Sequence, residues 1–267
     1  MTESPLSKVP IPASGSAGLP IRSVPFDAPW QWLTDGWRDL RRVWPLSLSY
    51  GAVFAVAALA LLVGLFIQGA QAVILTLAAG FLLLGPLLAL GLYEASRRLA
   101  AGEPVDAWRI VFVRTASPMQ MAYLGLVLML LFMFWLRLAT LLFALFFGHQ
   151  AFPPLADLVP TLLLTAHGLG LLVVGTAIGA VLAITAFALS AVSVPLLMAR
   201  DIDFFTAVAT SIKALVENPR AMLLWAGLIA ALMALGMVTM FVGLIVIFPL
   251  IGHATWHAYQ DVVESDD

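Results

Sequence analysis

The run G-H-A-T-W-H-A-Y-Q-D, from Gly252 to Asp261, holds the residue types in this chain best suited to chemistry. His253 and His257 are four residues apart, which puts both imidazoles on one face of a helix, where they could hold a metal ion or a haem iron. Asp261, four further on, would complete such a site or orient His257 as its hydrogen-bond partner. Two other readings fit the same residues. One is an interfacial girdle, with Trp256, Tyr259 and the imidazoles anchoring a helix end at headgroup level; the other is a proton-linked role.

Arg137, in Trp135-Leu136-Arg137, is a permanent cation inside a long apolar run. A charge in that position contacts an anion, a substrate or an acid inside a bundle, or it snorkels to the outer headgroups from a tilted helix. Glu94 and Asp201 stand beside Arg97, Arg98 and Arg200 and are expected to form local ion pairs at the interface. His149 and His167 bracket Asp157 in a loose potential metal set. The chain has no cysteine, which removes disulfides, thiolate metal sites, thiol nucleophiles and Fe–S clusters. No Gly-rich phosphate loop, G-x-S-x-G elbow or zincin helix occurs. A non-enzymatic protein with no cofactor is therefore expected, with His253 and His257 as the first metal candidate.

These residues are carried by membrane-length segments. Of 267 residues, 62% are hydrophobic and 10% charged, and the mean hydropathy is +1.03. Soluble chains carry about a quarter charged residues, so the lipid bilayer is the expected partner, with other membrane proteins or a second copy as further candidates. A net charge of −2 with scattered basic residues gives no footprint for nucleic acid.

The expected fold is all-α and polytopic. A disordered tail over residues 1–25 precedes a single domain over 26–262, with spans at about 46–67, 73–93, 119–147, 168–198, 220–238 and 241–260, and an acidic tail at 263–267. Three interfacial helices lead into the spans. In the first, Trp30, Leu33, Trp37, Leu40 and Trp44 share a face beside Arg38, Arg41 and Arg42. A weaker one follows Glu103, and the clearest runs from Asp203 to Pro219 with a stripe of Phe204, Val208, Ile212 and Leu215. Leading prolines Pro45, Pro118 and Pro219, and inner prolines Pro86, Pro195 and Pro249, repeat with this unit and point to three helix hairpins about a pseudo-axis. The inner prolines would kink helices inside the bundle. Gly175 and Gly179, in G-T-A-I-G, have a spacing that lets two helices approach closely. With six spans, every basic residue except Arg137 falls on one side, which the positive-inside tendency makes cytoplasmic, together with both termini.

Several stretches resemble a known family: W-R-D-L-R-R (Trp37 to Arg42), G-P-L-L-A-L-G-L-Y-E-A-S-R-R-L (Gly85 to Leu99), S-V-P-L-L (Ser193 to Leu197), E-N-P (Glu217 to Pro219) and G-H-A-T-W-H-A-Y (Gly252 to Tyr259). Together they are similar to a family of uncharacterised bacterial integral membrane proteins, some labelled as resembling cytochrome c oxidase subunit I. The resemblance implies a fold and a bacterial inner-membrane location, since the family has no established activity. The oxidase label finds no support in the residues: a haem–copper centre needs more histidines within spans than the four in this chain supply. The expected role is that of a scaffold, assembly or lipid-organising component. The alternatives are a small transporter or channel with Arg137 and the Pro-kinked helices along its path, and a haem- or metal-binding assembly factor using His253 and His257.

Overall fold

The computed structural model describes residues 18–69, 74–148 and 155–264, and these are helical almost throughout. In chain order the helices are α1 (Ala28–Arg42), α2 (Trp44–Ile67), α3 (Ile74–Leu88), α4 (Leu90–Ala100), α5 (Ala107–Val111), α6 (Pro118–Phe147), α7 (Leu155–Leu164), α8 (Ala166–Ser190), α9 (Ser193–Ala199), α10 (Phe204–Glu217), α11 (Pro219–Val238) and α12 (Leu244–Val262). Proline sets several of the boundaries. Pro45, Pro118 and Pro219 each stand in the first turn of their helix, where the missing N–H costs nothing and the fixed φ is already helical. Pro86 precedes the break at Ala89 between α3 and α4, and Pro195 follows the break at Ala191 and Val192 between α8 and α9, because proline cannot donate to the carbonyl one turn back.

Five segments are long and apolar enough to cross a membrane: Trp44–Ile67, Thr76–Ala100, Pro118–Phe147, Ala166–Ala199 and Pro219–Val238. The sixth expected span corresponds to α12, which does not reach that standard among the described residues. Its second half carries His253, Thr255, His257, Gln260 and Asp261, and this half packs against α1, α2 and α4. His253, Trp256 and Tyr259 are buried, so the expected girdle at headgroup level is replaced by a packed core helix.

Burial gathers at one end of the molecule, here called the base. It falls on the first turns of α2, α6 and α11, on α4 and α9, and along α12, while the opposite ends of the long helices are mostly exposed. Two glycines let α12 lie close. A Cβ on Gly36 of α1 would stand 2.6 Å from the Ala254 backbone nitrogen, and one on Gly51 of α2 would collide with the Ile245 carbonyl. Trp32 and Trp225 meet edge to face with ring centroids 5.8 Å apart, tying α1 to α11.

Three expectations are corrected. The tail expected over residues 1–25 ends earlier, because residues 18–25 form an extended strap across the base. Leu19 N–H donates to Thr210 Oγ1, Val24 N–H to Asn218 Oδ1, and Asn218 Nδ2 donates back to the Arg22 carbonyl. Ile21 also pairs with Val263, and Arg22 N–H donates to the Val262 carbonyl at 2.8 Å. On α10, the face against the protein is small and hydroxylated (Ala207, Thr210, Ser211, Ala214), whereas Phe205, Ile212 and Val216 point outward. The outward stripe is thus rotated from the one expected. Finally, part of the connection expected between the spans at 119–147 and 168–198 is helix α7, joined to α8 through Thr165, which accepts from Gly168 N–H at 3.0 Å.

Candidate functional site

At the base, four helices bring polar side chains into the buried core. His253 of α12 is fully buried; its Nε2 lies 2.8 Å from Ser47 Oγ of α2 and its Nδ1 2.7 Å from Ser96 Oγ of α4. One turn on, His257 Nε2 lies 2.8 Å from Asp39 Oδ2 of α1. Ser96 also faces the Asp39 carboxylate. Burial works to raise the Asp39 carboxyl, but hydrogen bonds from His257 and Ser96 outweigh it and hold the group below the usual carboxylate range. A neutral His253 protonated on Nδ1 satisfies every member of the chain. Ser96 donates to Asp39 and accepts from Nδ1–H, while Ser47 donates to Nε2.

The sequence picked out both histidines but not their partners. Asp261 accepts from Trp32 Nε1 at 2.9 Å, so it secures α1 and does not orient His257. Both nitrogens of His253 are engaged by serines, and His257 Nε2 by Asp39. Among the described residues no group of three or more His, Asp or Glu is placed to hold a metal ion. His149 lies outside the described residues; His167 and Asp157 are both exposed. Glu94 forms the expected pairs, at 2.7 Å from Arg97 Nε and from Arg98 Nε. Asp201 accepts from Ser117 Oγ.

Arg137 is exposed on α6 and has no ion-pair partner among the described residues. It lies nineteen residues beyond Pro118, ~28 Å along a helix rising about 1.5 Å per residue. That length is close to the ~30 Å thickness of a hydrocarbon layer.

A cavity of about 370 Å³ opens among α3, α8, α11 and α12. Its wall is apolar except toward the base, where Tyr93, Ser190 and Thr255 line it and the Tyr93 hydroxyl faces Thr255. A second, wholly apolar cavity of about 200 Å³ lies toward the other end, between α2, α3 and the close of α11, and Phe81 lines both. Pro86 lines the larger cavity, whereas Pro195, Pro249 and Arg137 line neither. Small residues create the space. A Cβ on Gly85 or Gly227 would meet nothing within 4 Å, and Ala180, Ala183 and Ala230 add to the same wall. Gly175 likewise faces open space, contrary to the close helix approach expected of it, while a Cβ on Gly179 would touch the Trp135 ring at 3.4 Å. Trp135 donates from Nε1 to the Thr76 carbonyl at 2.9 Å, joining α6 to α3.

Five membrane-length helices, three of which line an apolar cavity, are features of a protein that lives in a bilayer. Residues 73–199 match the family model of DUF2189, a predicted integral membrane protein. The matched segment of this domain of unknown function runs from the start of α3 to the end of α9, and includes Gly85 to Leu99 and Ser193 to Leu197, two of the stretches that carry the resemblance. The polar cluster lies mostly outside the DUF2189 segment: Ser96 falls within it, whereas Asp39, Ser47, His253 and His257 do not. No curated protein and no solved structure matches the chain.

Proposed function

We propose that this chain is a non-enzymatic, lipid-organising component of a bacterial inner membrane, holding one acyl chain in the cavity among α3, α8, α11 and α12. The observation that carries this reading is the cavity itself: large, apolar and built from small side chains on three helices. An empty apolar space of that size forfeits dispersion contacts, so lipid fills it. In the same proposal α12 is the sixth span, shielded from lipid by its neighbours, and the spans form three hairpins led by α1, α5 and α10. The basic residues other than Arg137 then lie on the cytoplasmic side with both termini.

The test is native mass spectrometry on protein purified in mild detergent, comparing wild type with Gly85→Leu and Gly227→Leu. Each substitution grows into open space without a backbone collision. The expected result is one phospholipid retained per wild-type chain and its loss in the variants, with thermal stability unchanged or raised. Equal lipid retention by all three proteins, or none by wild type, overturns the reading.

One observation favours a second reading, a small transporter: Phe81 stands between the two cavities and lines both. In proteoliposomes Phe81→Ala would then raise flux of a hydrophobic solute, and absence of flux from both forms counts against it.

A further inference from the structure

We infer that Arg220 is the headgroup anchor of the cavity and that its ligand is an acidic glycerophospholipid, the phosphate on the guanidinium and one chain inside. The inference rests on the lipid-holding reading above. Arg220, Leu223, Gly227 and Ala230 follow one another at three- and four-residue steps and share one face of α11. Leu223, Gly227 and Ala230 line the cavity, so Arg220 stands at the base end of the lining face. Side chains on a helix tilt toward its amino terminus, which carries the guanidinium outward past the mouth, to the depth where a phosphate lies above an inserted chain.

Charge at this corner is uncompensated. Arg220 is exposed and has neither hydrogen bond nor ion pair among the described residues. Glu217, the nearest acid in sequence, is paired with Lys213 at 3.8 Å. Arg38, Arg97, Arg98 and Arg109, by contrast, each have a carboxylate partner. The polar wall of the cavity, Tyr93, Ser190 and Thr255, lies toward the same end, so polarity rises along the cavity from chain to headgroup. A bidentate guanidinium–phosphate pair is the contact these groups are shaped to make.

The experiment titrates detergent-purified full-length protein with phosphatidylglycerol or phosphatidylcholine of identical chains and reads bound lipid by native mass spectrometry. Wild type is expected to favour phosphatidylglycerol about fivefold, the factor one basic side chain supplies at an anionic membrane surface. Arg220→Gln should remove that preference while still binding both lipids; Arg220→Lys should keep most of it. Arg41→Gln, a change at an exposed arginine of α1, should leave it intact. If wild type binds both lipids equally, or Arg220→Gln keeps the preference, the anchor is wrong and the cavity reading stands. If wild type binds neither lipid, the cavity reading itself fails.

Discussion

At the scale of single residues, the most consequential group is His253, since both of its ring nitrogens are used inside the core and none of its surface reaches solvent. Replacing it with alanine strands the buried Ser47 hydroxyl, takes one of two partners from Ser96 and leaves a void, so His253→Ala should destabilise the protein by about 2–4 kcal/mol. His257→Ala, at a partly exposed position with one partner, should cost less; thermal unfolding in detergent reads both. Asp39 makes stability depend on pH. Its folded value is depressed, so its contribution is present above the unfolded value of about 3.9 and is lost as pH falls through the folded value. Wild type should therefore lose stability on acidification below about pH 4, and Asp39→Asn, less stable at neutral pH, should lose less over that range. The sequence made both histidines visible by their four-residue spacing. Asp39, Ser47 and Ser96 were not legible as their partners, because each sits on a different helix and nothing in local spacing records a contact between helices.

At the scale of elements, apolar length and proline placement were readable because both act locally. The leading prolines stand where they were expected, in the first turns of α2, α6 and α11. Glycine was harder to read, since the same residue serves to bring helices together or to leave room between them. Gly36 does the first and Gly175 the second, and only the neighbour decides. Gly36→Val should abolish the folded form, as its Cβ would enter the α12 backbone, whereas Gly175→Leu should leave the melting temperature within about a degree of wild type, as at an unconstrained surface site. Gly179→Leu should fall between them, displacing Trp135 and its bond to Thr76. A melting curve for each variant ranks the three. On α10 the apolar stripe misled in part, because Ala207, Thr210, Ser211 and Ala214 form the most buried face and Phe204, Val208 and Leu215 pack beside it, while Phe205, Ile212 and Val216 face outward. In a membrane the outside is as apolar as the inside, so hydrophobicity alone does not orient a helix.

At the scale of the whole molecule, a six-span topology predicts sides that can be read directly. The natural chain has no cysteine, so single cysteines at exposed Arg41, Met240 and Gln260 report without background. Arg41→Cys and Gln260→Cys should label from one side of sealed vesicles and Met240→Cys from the other; labelling of Gln260→Cys from the Met240 side makes α12 a non-spanning helix. The strap over residues 18–25 was illegible for a physical reason: it is held by backbone groups and by Thr210 and Asn218, not by an apolar pattern of its own. It joins segments at the two extremes of the described chain, pairing Ile21 with Val263. A ribosome makes the first of these long before the second. Throughout synthesis the early strand has no partner at α12, and the base stays open until the last helix has left the exit tunnel. A chain broken off before Val262 would leave the Arg22 N–H without the carbonyl that α12 supplies.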